Sequence, residues 1–304
     1  MTSFTNQTMT SSRFLADGGS FQCVCCDAGL FDKDGFCPTC QAPTSLSKAI
    51  ADRGAPGQFI SVLGASNAGK TVYLGMLLDM LTKGIGGLRG LPNNSLSVAV
   101  QEQTINALEQ CQFPEKTPND VDQWKWMHCE LDLGKRKGGY FDIISPDFAG
   151  EAISFEMEQP GSFPVVGHVV KRSVSFVLLI DSIRVRDSGR EEDFFAMKIA
   201  SYIHAANAKT SKFAKKKVKL PLAIVMTKCD SCPEAVHDPQ GFAKANMPGF
   251  EKYLDRHFSS FKFFAASVVG SSATMVDRYG RVELIPFHVS PQGILEPIQW
   301  IIKQ

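Results

Sequence analysis

The eight residues Gly64-Ala-Ser-Asn-Ala-Gly69-Lys70-Thr71 carry the spacing G-x-x-x-x-G-K-[ST]. Small residues at these positions let the backbone curl. The N–H groups of Asn67, Ala68, Gly69, Lys70, Thr71 and Val72 can then point at phosphate oxygens, in front of the positive end of a helix. Lys70 would reach the β- and γ-phosphates, and the Thr71 hydroxyl would ligate Mg²⁺. Further along, Asp147-Phe-Ala-Gly150 supplies a carboxylate suited to holding Mg²⁺ through water and a glycine whose N–H can meet the γ-phosphate. Glu151 follows Gly150 directly. Thr227-Lys228-Cys229-Asp230 fits [NT]-K-x-D. Its aspartate can accept from guanine N1 and N2, which adenine does not offer, while the lysine stem lies across the ring. Ser267-Val268 opens a stretch whose Val268 N–H would contact the guanine O6.

A second kind of chemistry sits near the N-terminus. Cys23, Cys26, Cys37 and Cys40 form two C-x-x-C knuckles. Four thiolates with no vacant position describe a structural Zn²⁺ site, because a catalytic zinc keeps one position for water. Cys25 is then the spare thiol, although it could exchange roles with Cys26. Cys229 and Cys232 also make C-x-x-C, but they overlap the base motif and lack a partner pair.

These residues need particular elements to hold them. Phe59–Leu63 reads as a buried strand entering the phosphate loop, and Leu74, Leu77, Leu78 and Leu81 share one face of the helix that leaves it. Lys83–Gly90 ends that helix, and a second helical pattern covers Leu96–Cys111. Thr117, in the loop Phe113–Pro118, would sense the γ-phosphate and close on Mg²⁺. Residues 125–133 alternate, with Trp126, His128, Glu130 and Asp132 on the expected wet face and His128 expected at the surface. A glycine-bounded basic turn, 134–139, then leads into Tyr140–Ile144 as an antiparallel hairpin at the sheet edge. Strands follow at Val174–Ile180, Leu222–Met226 and Phe261–Ala266, with a helix over Glu191–Ala208 and a closing helix over Gly293–Ile302.

Composition narrows the class. Thirty-two Lys+Arg against 31 Asp+Glu leave no global field to steer the chain to nucleic acid or an anionic membrane. No apolar run reaches the length of a membrane span. Unpaired thiols and the lack of a signal-peptide layout fit a cytoplasmic protein. The expected organisation is a polar tail over 1–20, a zinc ribbon over 21–42, a linker over 43–57 with one helical turn, and a nucleotide domain over 58–304.

Taken in order, Gly64–Thr71, Asp147–Gly150, Thr227–Asp230 and Ser267–Gly270 resemble the motif series of Ras-like and translation-factor-related GTPases. The cysteine ribbon ahead of the domain, the D-x-x-G-E form and the terminal apolar helix with Trp300 resemble the bacterial double-GTPase family. The resemblance implies a doubly wound, mostly parallel α/β sheet with one antiparallel edge strand, GTP/GDP and Mg²⁺ as ligands, and protein partners such as a second GTPase or an effector. It implies a switch that hydrolyses GTP slowly without a partner. The alternative is a scaffold that keeps GTP without hydrolysing it.

Overall fold

The structure, a computed structural model, describes residues 20–31, 35–114, 126–134, 139–146, 150–159, 161–207, 217–276, 280 and 282–304. The chain divides between Gly57 and Gln58 into two compact units. In the first, β1 (Ser20–Gln22) pairs antiparallel with β2 (Gly29–Phe31), and α1 (Thr44–Arg53) follows. Where the sequence suggests one turn in a linker, α1 has ten residues. Leu46 and Ile50, four apart, are buried on one side, and Gly54 closes the helix in the left-handed region at φ 66°, its N–H on the Ala51 carbonyl. The Ser47 hydroxyl accepts the Val24 N–H at 3.1 Å, which ties the helix to the cysteine knuckle.

The second unit runs in chain order through β3 (Phe59–Gly64), α2 (Lys70–Thr82), β4 (Gly90–Pro92), α3 (Ser95–Glu109), β5 (Trp126–Asp132) and β6 (Tyr140–Pro146). It continues with α4 (Gly150–Glu158), α5 (Pro164–Arg172), β7 (Ser173–Asp181), α6 (Ser182–Asn207) and β8 (Leu222–Thr227). After these come the short helices α7 (Glu234–His237), α8 (Pro239–Asn246) and α9 (Pro248–His257), then β9 (Phe261–Ala265), β10 (Ser267–Val276), β11 (Val282–Gln292) and α10 (Glu296–Ile301). Seven strands form one sheet in the order β4-β5-β6-β3-β7-β8-β9. From β6 to β9 all neighbours are parallel; β5 runs against β6, and the three-residue β4 flanks β5 on its outer side. The antiparallel strand is therefore next to the edge.

Apolar alternation sets the layers. Ile60, Val62, Val177, Leu179, Ala223 and Val225 face a core completed by Leu74, Leu77, Leu78 and Leu81 of α2, Leu108 of α3 and Ile298 and Ile301 of α10. The other face carries α5, which packs on β3, and α6, which packs on β7. Burying one such Leu or Val side chain contributes about 1.5–3 kcal/mol, so the sheet supplies a stiff floor. Helix α2 approaches α3 closely at Gly75, where a Cβ would run into the Thr104 hydroxyl. Asn94 caps α3 by accepting the Ser97 N–H at 2.8 Å.

Four readings of the sequence need correction. The expected wet face of β5 is covered over its first half: Trp126 and His128 are buried, Glu130 is part-buried and Asp132 exposed, and His128 Nε2 lies 2.8 Å from Oδ1 of the buried Asp142 on β6. Flanked by a strand on either side, β5 offers its histidine a carboxylate on the neighbouring strand in place of water. Ser267–Gly270 is the start of a long strand, because β10 and β11 form their own two-stranded antiparallel sheet. The closing helix spans only Glu296–Ile301, and the helix expected from Glu191 begins at Ser182 with a break at Ser188.

Removing one partner of a buried hydrogen-bonded couple leaves the other desolvated, at a typical cost of about 1–3 kcal/mol and more where the group left behind is a carboxylate. His128→Ala should therefore destabilise the sheet unit by about 3 kcal/mol in urea unfolding followed by tryptophan fluorescence. A loss below about 1 kcal/mol would show that the His128–Asp142 pair is not the anchor of β5.

Candidate nucleotide-binding site

The predicted phosphate loop lies between the end of β3 and the start of α2. Gly64 must be small, since a Cβ there would stand 3.0 Å from the Leu179 carbonyl oxygen on β7. Asn67 and Gly69 both adopt left-handed backbone, at φ 66° and 76°, a conformation that asparagine and glycine tolerate. These reversals curl the loop, with the Ala68 N–H on the Ala65 carbonyl at 3.2 Å. Lys70, Thr71 and Val72, all part-buried, form the first turn of α2. Four helix N–H groups there have no intrahelical acceptor, which is what an anion site requires.

The base motif lies at the end of β8, two strands from β3. Thr227 is buried, and its hydroxyl lies 2.8 Å from the Ala68 carbonyl oxygen and 3.1 Å from that of Ile180. This contact brings the phosphate motif and the base motif together. Lys228 turns out of the strand in left-handed backbone at φ 58° and places Nζ 2.6 Å from Asp181 Oδ2. Asp230 sits in the 3₁₀ turn Cys229–Ser231, part-buried, with the Ser231 hydroxyl donating to Oδ2 at 3.0 Å and the Ser272 hydroxyl 3.4 Å from the same oxygen. Ser267 and Val268 open β10 directly after Ala266, whose carbonyl accepts the Cys229 N–H at 3.2 Å. The loop that carries Asp230 and the strand that begins at Ser267 are thus joined. Both lie at the carboxyl ends of parallel strands, where open α/β sheets hold their ligands.

The Double-GTPase 2 family profile matches residues 58–287. The chain belongs to the Double-GTPase 2 family. Among solved structures, the chain is similar to the Arl6 BBS3 small GTPase of Trypanosoma brucei, at 11% identity over 81% of this chain and 96% of that one, with a TM-score of 0.37. It is also similar to the Ski7 GTPase-like domain of S. cerevisiae bound to GTP, at 15% identity over 81% of this chain and 50% of that one, with a TM-score of 0.43. No curated protein sequence matches.

The remaining predicted positions of this Double-GTPase 2 chain are placed as follows. Gly150 is the first residue of α4 and Glu151 the second, with the Glu151 side chain outside what is described. Thr117, Asp147 and the basic tip at 135–138 lie outside the described residues. Cys229 is buried, and burial pushes its thiol up to about 11, so it is a neutral thiol at physiological pH and a poor metal ligand or nucleophile.

Three residues escaped the sequence reading. Asp181 ends β7 and grips Lys228; an acidic residue directly after a buried apolar run was the available signal. Ser272 reaches Asp230 from β10, a contact that follows from the unforeseen hairpin. Glu156 is buried in α4 and accepts N–H groups from Gly161 at 3.0 Å and Phe163 at 2.7 Å, with the Tyr202 hydroxyl at 3.2 Å. It anchors the helix that follows Gly150 to α6, and nothing in a single glutamate within a helix announces that.

In the N-terminal unit the sulfurs of Cys23, Cys26, Cys37 and Cys40 all lie within 4.8 Å of one another. Cys23–Cys40 and Cys26–Cys37 are each 3.5 Å apart, close to the roughly 3.8 Å edge of a tetrahedral ZnS₄ site with 2.3 Å bonds. The set fits a structural zinc ion. Cys26 belongs to it, and Cys25 lies beside it as a hydrogen-bonding neighbour whose thiol is held up chiefly by Cys23. That bond from Cys25 in turn holds Cys23 well below the usual thiol range, while Cys40 is pushed up by its bond with Cys23 and Cys26 by burial, to about 11. Sulfurs this close share protons unevenly, and a dication would displace those protons.

Purified under reducing conditions, the chain should carry one zinc per molecule by elemental analysis. Cys37→Ser or Cys40→Ser should abolish the metal and expose residues 20–57 to proteolysis, while Cys25→Ser should keep it. Zinc-free wild type, or loss of zinc in Cys25→Ser, would refute this ligand set.

Proposed function

We propose that this chain binds GTP and GDP and works as a nucleotide-dependent switch that hydrolyses GTP slowly on its own. The observation that carries the reading is the Thr227 hydroxyl bound to the Ala68 carbonyl, because it joins a phosphate-type loop to a guanine-type motif in one frame. In this reading the amides from Asn67 to Val72 surround the phosphates behind Gly64, and Lys70 neutralises the β- and γ-oxygens. Asp230 reads the guanine edge, Lys228 lies over the ring, and the Val268 N–H next to Ser267 meets O6. Mg²⁺, held by the Thr71 hydroxyl and through water by Asp147, would offset charge developing between the β- and γ-phosphates. Thr117 and Gly150 respond to the γ-phosphate, and its loss releases them. Glu151 orients the attacking water. The zinc ribbon of Cys23, Cys26, Cys37 and Cys40 and the GTP-dependent conformation serve a protein partner, such as a second GTPase or an effector, in the cytoplasm. Among the described residues no helix is long and apolar enough to cross a membrane.

Glu151 also supports a second reading, a scaffold that holds GTP intact. A carboxylate about 5 Å from a γ-phosphate charge is repelled by roughly 3 kcal/mol at an effective dielectric near 20. Unless Lys70 and a cation from a partner offset that repulsion, the side chain turns away and water is not activated.

Labelled GTP should be displaced by GTP and GDP and hardly at all by ATP, and Asp230→Asn should shift preference to xanthosine nucleotides, whose extra carbonyl can pair with the amide. Equal competition by ATP refutes the base assignment. Unaided turnover by wild type should be on the order of 10⁻⁴–10⁻³ s⁻¹ and fall further in Lys70→Ala. Fast turnover by the isolated chain refutes a partner-dependent switch, and equal rates for wild type, Glu151→Gln and Glu151→Ala remove Glu151 from the reaction.

A further inference from the structure

At the mouth of the base site stands one acidic side chain that no motif claims. Asp181 is the last residue of β7, paired in register with Thr227 at the end of β8, and its side chain is only 4% exposed. Its two oxygens have separate tasks. Oδ1 accepts the N–H of Ile183 at 2.9 Å and of Arg184 at 3.4 Å, which makes Asp181 the N-cap of α6. Oδ2 receives Lys228 Nζ at 2.6 Å. Arg184, whose backbone N–H meets Oδ1, directs its guanidinium to Glu192 at 2.7 Å.

The Lys228 stem is consequently fixed at both ends, by the backbone after β8 and by the carboxylate after β7. It spans the ends of two adjacent strands, beside the turn that carries Asp230. We propose that Asp181 is a positioning residue for base recognition: it holds the Lys228 stem extended as the platform on which the guanine ring rests. The proposal builds on the GTP reading above and adds a residue to it. A free lysine samples many rotamers, and ordering it on binding would weaken affinity; here the ordering is completed on folding. Aspartate suits both tasks, being short enough to cap a helix and charged enough to hold an ammonium group.

The test is calorimetric titration of the full chain with GDP, in wild type, Asp181→Asn, Lys228→Met and the double variant. Asp181→Asn keeps an oxygen for the Ile183 amide and replaces the anion that grips Lys228. Each single variant should bind GDP roughly tenfold more weakly or worse, and the double variant should be no weaker than the weaker single, since both remove one interaction. Asp181→Asn should melt within about 3 °C of wild type. Displacement by inorganic tripolyphosphate, which lacks a base, should not change in either variant. Wild-type GDP affinity in folded Asp181→Asn, or losses that add in the double variant, overturns the proposal. Should Asp181→Asn fail to fold, Lys228→Met decides alone, because it keeps the stem and lacks only the charge, and undiminished GDP affinity there overturns the proposal. A wild type that binds GDP no better than ADP removes the guanine reading itself, and this inference with it.

Discussion

A single hydroxyl governs the geometry of the candidate site. Thr227 Oγ1 reaches the Ala68 carbonyl of the phosphate loop and the Ile180 carbonyl of β7, and it does so from a buried position where water cannot substitute. Three strand ends are thereby held at fixed spacing. The Gly64–Thr71 loop and the turn that carries Asp230 cannot drift apart without breaking a buried hydrogen bond, and a stranded acceptor would cost about 1–3 kcal/mol. Asp181 and Ser272 extend the same frame by bracing Lys228 and Asp230. Glu156, by contrast, ties α4 down near its C-terminal end, past the start of the helix at Gly150. The half that carries Lys228 and Asp230 is a braced frame, and the half that carries Gly150 is built on a helix anchored at its far end.

What the sequence made legible follows from where physical constraint is local. The phosphate loop could be read because Gly64, Asn67 and Gly69 answer to backbone geometry within a few residues, and the zinc set because sulfur ligands come as pairs at fixed spacing. Sheet strands such as Val174–Ile180 and Leu222–Met226 could be read because they are buried on both faces. Tertiary contact decided the rest. His128 looked wet because alternation places it opposite Met127 and Cys129, and only a neighbouring strand bearing Asp142 makes its burial tolerable. Helix α1 offers just Leu46 and Ile50 as an apolar stripe, too little for a pattern but enough once Ser47 is bonded to the cysteine knuckle. The β10–β11 hairpin was hidden because Gly270 and the serines around it look like a loop, while its pairing partners lie beyond the turn.

The two units achieve order by different means. The sheet unit has a core large enough to offset its chain entropy through burial. Among the described residues of the N-terminal unit the large buried aliphatic side chains are Leu30, Leu46 and Ile50, and its two-stranded sheet would be marginal alone. Four sulfurs all within 4.8 Å of one another are placed so that one bound ion would supply what the core lacks.

The central place of β3 also has a consequence for how the protein is made. Synthesis delivers β3 and the phosphate loop before any strand that will flank them, since both neighbours, β6 and β7, come later in the chain. Ala68 waits for Thr227, 159 residues on, and Tyr73 for the Ile294 carbonyl, 221 residues on. The cysteine-bearing unit is complete in sequence at Gly57. On the ribosome, then, the cysteine-bearing unit can emerge while the Gly64–Thr71 loop is still unsupported, and a nascent chain with that loop braced is one in which nearly the whole sheet has already been made.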